Sequence, residues 1–201
     1  MTPLPVCTAQ QIPFASGADW QSFSYTAANP TPVALGPAKL VCLNATTPYQ
    51  CPATAVSYGF APKGGWTAAL TPIPTARWIW RGDTLATSLA SQPVLFEHSF
   101  TLGANPTGSM YIAVDDQAEV LVNGTSISIT GSLTDLAAAN RSQSTLTRLI
   151  LTPYLRKGTN VIAIRAQNGP RGCDVKECTY ATAPAGVVFG GVLETPCPPA
   201  K

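Results

Sequence analysis

The sequence predicts an all-β protein: a jelly-roll β-sandwich carrying a loop-rich, disulfide-stapled N-terminal extension. Three observations predict it. Two apolar alternating runs, Met110–Val114 and Ala118–Val122, flank Asp115-Asp116, and a period of two belongs to half-buried strands. Asn123-Gly124 ends the second run, and both residues accept the positive φ that a tight hairpin turn demands. Nineteen prolines and 16 glycines in 201 residues interrupt the chain too often for long helices.

Composition narrows the function classes. Hydrophobic residues make up 45% and charged residues 11%, which places the chain among folded rather than disordered sequences. The formal net charge is +2 and no basic run exceeds Arg156-Lys157, so a nucleic-acid partner is not expected. No apolar run reaches membrane-spanning length.

The elements follow in order. Residues 1–75 read as the extension packed on the sandwich, with strands expected at Trp20–Thr26 and Leu40–Leu43, and a turn at Gly64-Gly65-Trp66. Residues 76–194 read as the sandwich proper. Arg77-Trp-Ile-Trp-Arg81 is short, aromatic and β-prone. Val94–Leu102 alternates, with Val94, Phe96, His98, Phe100 and Leu102 on one face. Met110–Val114 and Ala118–Val122 form the central pair, and Ser126–Thr130 a short third strand. Asp135–Asn140 suits one helical turn. Leu146–Leu151, Asn160–Gln167 and Gly186–Glu194 complete the strands; Gly190 and Gly191 in the last mark close packing or a bulge. Residues 195–201 read as a Pro-rich tail or the start of a linker.

Six cysteines, with no CxxC and one histidine, argue against a zinc site and for disulfides in an oxidising compartment. The expected pairs are Cys42–Cys51 and Cys173–Cys178, each closing a short loop, and Cys7–Cys197 tying the termini. Asn44-Ala-Thr and Asn140-Arg-Ser are candidate glycosylation sites; Asn123-Gly-Thr matches too but sits awkwardly in a hairpin. Met1–Pro13 has neither the basic nor the apolar region of a secretory leader, so the chain is expected to be a mature or excised module of a longer protein.

The order of several phrases is familiar: Trp78-Ile-Trp; Phe96-x-x-x-Phe100-x-Leu102; Tyr111-Ile-Ala-x-Asp115-Asp116, then Val122-Asn123-Gly124; Tyr154-Leu-x-x-Gly158-x-Asn160-Val-Ile-Ala-Ile; and a Gly-Val-Val-Phe-Gly-Gly ending. Across residues 76 to 194 the chain resembles the galactose-binding-like jelly-roll modules attached to glycoside hydrolases, rhamnosidase-like enzymes especially. The Asp-Asp pair also gives a distant similarity to PA14-type lectin domains, which implies calcium and sugar at Asp115 and Asp116. Fold alone does not assign a role.

Two readings of the Asp pair stand side by side. The carboxylates can join loop carbonyls and Asn168 as the oxygen ligands of Ca²⁺, or they can accept backbone N–H groups in a turn. Trp66, beside two glycines, is the ring expected to be exposed as a sugar platform, while Trp78 and Trp80 suit the core. Asn168 and Arg171 lie in a polar loop that a Cys173–Cys178 bridge would stiffen. Arg81-Gly82-Asp83 reads as loop residues near a ligand end rather than as an integrin motif. His98 reads as a core or edge residue, and no nucleophilic triad or carboxylate pair for glycoside cleavage is visible.

The expectation is therefore a non-catalytic, extracellular or cell-surface carbohydrate-binding module. It would hold a glycan or cell-surface polysaccharide, with Ca²⁺ assisting, through Asp115, Asp116, Trp66, Asn168 and Arg171. A self-associating structural subunit and an ancillary domain of a glycoside hydrolase are the alternatives, separable by solution mass and by catalytic sequence beyond Lys201.

Overall fold

The structure is a computed structural model that describes residues 9–26, 29–43, 51–58, 65–67, 69–88, 92–169 and 178–197, with backbone only at 26, 29 and 30. Thirteen strands and one helix are described: β1 Gln10–Ala15, β2 Gln21–Thr26, β3 Asn29–Pro37, β4 Lys39–Cys42, β5 Val56–Ser57, β6 Ile79–Trp80, β7 Val94–Leu102, β8 Thr107–Asp115, β9 Gln117–Val122, β10 Thr125–Gly131, α1 Leu136–Ser144, β11 Thr147–Ile150, β12 Gly158–Gln167 and β13 Gly186–Thr195. They form two sheets packed as a sandwich. One runs β11-β8-β13-β6-β4-β5, with β1 also paired to β13; the other runs β10-β9-β12-β7-β2-β3. The chain is all-β, as predicted.

The alternation does what a period of two should. Val94, Phe96, Phe100 and Leu102 face the core from β7, and Met110, Ile112 and Val114 face it from β8. Trp20, Trp80, Phe96 and Phe189 are almost wholly buried between the sheets. His98 is half-buried, its ring 5.3 Å from that of Trp20 and 4.7 Å from that of Phe100. Gly190 and Gly191 mark close packing rather than a bulge. A Cβ at Gly191 would run into the Ser109 carbonyl, and one at Gly190 would lie 2.9 Å from the Phe14 carbonyl.

The N-terminal segment departs from expectation. Residues 10–42 are not laid on a finished sandwich; β1, β2, β3 and β4 are ladder strands of its two sheets. β1 pairs with β13 from Gln10↔Thr195 to Ala15↔Gly190, and β2 pairs with both β7 and β3. Two of these strands were hidden by their prolines. β3 carries Pro30, Pro32 and Pro37 but is an edge strand, where a missing N–H can face away from the ladder. The helix is longer than the single turn expected. Asp135 Oδ1 accepts from the Ala137 and Ala138 amides at 2.8 and 3.2 Å, a cap visible in the sequence. The continuation through Arg141-Ser-Gln-Ser144 has little apolar periodicity, and only Ala139 and Ser142 are buried.

Cys42 and Cys51 are bonded as predicted. Cys178 and Cys197 are also disulfide-bonded; Cys7 and Cys173, their expected partners, lie outside the described residues. No helix among the described residues is long and apolar enough to cross a membrane.

Candidate ligand pocket at one end of the sandwich

The register of the ladders collects one set of loops at one end. β8 ends at Asp115 opposite Gly186, the first residue of β13. β12 ends at Gln167 opposite Gln117, the first residue of β9, while Ala166 pairs with Val94 at the start of β7. Asp115, Asp116, Asn168 and residues 81–88 and 92–93 therefore meet at this end, from positions spread over much of the chain.

The residues expected to bind ligand are there, but inside. Trp66 is 2% exposed, which corrects the expectation of an open platform. Its ring stacks on Trp78 with centroids 4.3 Å apart, and its indole N–H donates to Asp115 Oδ2 at 2.8 Å. A sequence cannot show that the ring following Gly64-Gly65 folds back under the β8–β13 ladder. Asp116 is 1% exposed, and its Oδ2 accepts from the Gly169 amide at 2.7 Å. Its carbonyl accepts from the Ser132 amide and the Ser142 hydroxyl. The peptide joining the two aspartates is cis. The pair thus anchors three loops. An N–H donor points at one oxygen of each carboxylate, where a cation would have to approach, and the described residues contain no group of three or more His, Cys, Asp or Glu side chains placed to hold a metal. One oxygen of each carboxylate is therefore committed to an N–H donor.

Asn168 is buried too, and its Nδ2 donates to the Ala183 carbonyl at 3.0 Å, closing the loop that precedes β13. Arg171 and Asn44 lie outside the described residues. Asn140 is exposed on α1, while the Asn123 amide is fully engaged in a turn and poorly placed to accept a glycan.

What this end leaves open is a polar pocket of about 410 Å³ lined by Arg81, Asp83, Thr84, Thr87, Ser88, Gln92 and Tyr180. The residues reach it through a tight turn after β6. A Cβ at Gly82 would collide with the carbonyls of Leu35 and Pro37, so only glycine lets this turn pass beneath β3. The Gly82 amide donates to Ser22 Oγ, and Lys39 Nζ donates to the Thr84 carbonyl at 2.9 Å. Arg81 grips Asp83 with two parallel bonds, Nε to Oδ1 at 2.9 Å and Nη2 to Oδ2 at 2.8 Å, and donates to the Pro93 carbonyl through Nη1. The Arg81 side chain is 8% exposed and that of Asp83 49%.

The electrostatics follow from that asymmetry. Hydrogen bonds from Arg81 hold the Asp83 carboxyl below its usual range, against a smaller opposing effect of burial. Burial pushes the Tyr180 phenol up to about 12, so it is a neutral hydroxyl; it accepts from the Trp80 indole at 2.8 Å. The Thr84 hydroxyl is buried with no partner among the described residues. Backbone bonds from Tyr180 to Ser88 and from Ala181 to Ala86 fasten the two loops that form the walls. The Arg-Gly-Asp triplet was the one signal of this pocket in the sequence. With its arginine buried on its own aspartate, that triplet is not displayed for an integrin. Tyr180, a hundred residues away, gave no local signal.

No family model matches the chain, and no curated protein matches it in sequence. Solved structures do. It is similar to Streptomyces avermitilis α-L-rhamnosidase complexed with L-rhamnose, at 19% identity and a TM-score of 0.42, over 62% of this chain and 12% of that one. It is similar to Ruminococcus gnavus β-glucuronidase, at 10% identity and a TM-score of 0.45, over 98% of this chain and 30% of that one. It is likewise similar to the FMN-binding β-glucuronidase of Facaelibacterium prausnitzii, at 12% identity and a TM-score of 0.45, over 94% and 23% of the two chains. The chain spans under a third of the length of each.

Proposed function

We propose that this chain is a non-catalytic carbohydrate-binding module whose ligand occupies the Arg81–Asp83 pocket. One observation carries the reading: Asp83 presents a half-exposed carboxylate whose orientation is set from behind by a buried arginine. Such an acceptor suits a pair of adjacent sugar hydroxyls, because charge-assisted bonds are the strong ones and a fixed acceptor loses little entropy on binding. Thr87, Ser88 and Gln92 add donors and acceptors at the rim, which suits a ligand whose every hydroxyl is both. The volume falls in the usual range for small-molecule sites, about 300–1,000 Å³. Asp83 is the single carboxylate among the described lining residues, whereas glycoside hydrolysis ordinarily uses two. Bonded cysteines suit an oxidising, extracellular setting.

A glycan array read by the purified chain, with and without EDTA, tests this. Binding that survives EDTA and weakens roughly 30- to 150-fold in Asp83→Ala is the expected result, the loss of about 2–3 kcal/mol in charge-assisted bonds. Gln92→Ala at the rim should weaken binding several-fold with an unchanged melting temperature, which separates ligand loss from unfolding. Undiminished binding by both variants overturns the assignment. Loss of binding in EDTA would return the site to the Asp115–Asp116 carboxylates.

The pH dependence follows from the lowered pKa of Asp83. A carboxylate whose folded pKa lies below its unfolded value stays charged as pH falls through the ordinary Asp range near about 3.9. Its contribution to folding is complete above that range and is lost only as pH drops through the folded value. Sugar affinity should therefore be flat from pH 8 to pH 5 and decline below about pH 4. A midpoint between pH 6 and 7 in a titration series would show that another group controls binding.

A further inference from the structure

The outer face of the six-stranded sheet breaks its own pattern. The exposed face of a sandwich sheet is ordinarily polar, yet β7, β9 and β12 each carry a buried apolar residue there: Leu95, Leu121 and Ala163, 4–8% exposed. They form a cluster separate from the inter-sheet core, and Phe23 and Tyr25 of β2 pack against it. Conflicts between local pattern and burial tend to mark functional surfaces.

Beside this cluster lies a shallow cleft of about 190 Å³, lined by Tyr25, Pro93, Gln117, Glu119, Arg165 and Gln167 among others. The Arg165 guanidinium lies 4.7 Å above the Tyr25 ring and contacts Glu119 Oε2 at 3.2 Å. Arg165 Nε is buried and has no hydrogen-bond partner among the described residues. Gln117 uses its Oε1 on the Leu133 amide, which leaves its NH₂ to donate elsewhere. The Gln167 side chain has no hydrogen-bond partner among the described residues. One peptide step links cleft and pocket: Gln92 lines the pocket and Pro93 lines the cleft. Arg81, which orients Asp83, also holds the Pro93 carbonyl.

We infer that the ligand is an uncharged oligosaccharide chain, with one unit in the Arg81–Asp83 pocket and the following units crossing Gln92–Pro93 onto the Tyr25–Arg165–Gln117 cleft. This rests on the pocket reading above. The half-buried Tyr25 ring, seated on the buried apolar cluster, suits the C–H face of a sugar ring, and the two amides suit the hydroxyl edges. Adjacent strands lie about 4.8 Å apart, so Gln117 on β9 and Gln167 on β12 present amides at neighbouring positions across the cleft. Among the described residues, the charged side chains lining both sites come as matched pairs, Arg81 with Asp83 and Arg165 with Glu119, which favours a neutral sugar over an acidic one.

The test is a chain-length series of one to six units in β-1,4-glucan, β-1,4-galactan and oligogalacturonate, titrated calorimetrically against the whole chain. The expected result is affinity for a neutral series that rises at least ten-fold between one and three units. Tyr25→Ala and the double variant Gln117→Ala/Gln167→Ala should abolish that rise and leave single-unit binding unchanged; Tyr25→Phe should keep it. An affinity independent of length, a length effect that survives Tyr25→Ala, or tighter binding of oligogalacturonate overturns the inference. Asp83→Ala reports on the pocket separately: if it leaves single-unit binding intact, the pocket reading fails whatever the cleft does. Binding to none of the three series overturns both.

Discussion

Replacing Asn160 by alanine should lower the thermal unfolding midpoint by roughly 6–12 °C, the largest loss expected from any single polar side chain of this protein. Asn160 is fully buried, and every hydrogen-bonding position of its amide is used. Nδ2 donates to the Arg156 and Gly158 carbonyls at 2.7 and 2.9 Å, while Oδ1 accepts from the Arg156 amide and from Asn123 Nδ2. Asn123, at φ 52°, in turn donates to the Tyr154 carbonyl and accepts from the Val161 amide. The Asn-Gly hairpin after β9 and the Gly-x-Asn turn before β12 are thus two halves of one lock. Alanine would remove all four of these bonds and leave the partly buried Arg156 and Gly158 backbone groups without their partner, a cost of about 3 kcal/mol, and in a domain of this size each kcal/mol is about 2–4 °C. Asn160→Asp should be as damaging at pH 7, because a carboxylate would face two carbonyl oxygens. A midpoint shift below about 2 °C for Asn160→Ala in differential scanning calorimetry would show that the lock does not hold the turn.

Trp66→Ala should destabilise the fold by about 4–8 kcal/mol, near the limit of what a domain of this kind tolerates. Truncating a buried tryptophan costs about 3–5 kcal/mol in lost packing and cavity formation. Trp66 stacks on Trp78, meets Tyr58 edge-on at 6.2 Å and fills the space that Gly186 leaves open. Its removal also strips a donor from the buried Asp115 carboxylate, which adds about 1–3 kcal/mol. Trp66→Phe separates the two contributions, since it keeps most of the ring and loses only the N–H; about 1–3 kcal/mol is expected, measured by chemical denaturation. If Trp66→Phe were as stable as the parent and lost sugar binding instead, the ring would be a ligand contact after all.

Both predictions concern residues that the sequence made conspicuous for other reasons. Asp115, Asp116 and Trp66 drew attention as a calcium and sugar site because short-range patterns show which residues are polar or aromatic, not which way a loop folds. The Asp pair sits where two strands join, as the alternation implied, but its carboxylates tie down Trp66 and Gly169. Asn168 similarly belongs to loop closure. The pocket that remains combines Arg81 and Asp83 with Tyr180, and the outer-face cleft combines β2, β9 and β12 with Pro93.

By itself, the sequence determined what is periodic and local. The strands from β7 onward follow from alternation, the hairpin from Asn123-Gly124, the helix start from Asp135, and the Cys42–Cys51 bridge from two cysteines nine residues apart. Only the tertiary structure decided the rest. It placed Pro-bearing β1 and β3 in the two sheets, because an edge strand tolerates a proline that a central strand would not. It also turned the aspartates inward and left Asp83 outward, because a buried carboxylate must find donors and those donors come from residues tens of positions away. Burial and partner choice depend on contacts between distant segments, and no period of two or three and a half encodes them.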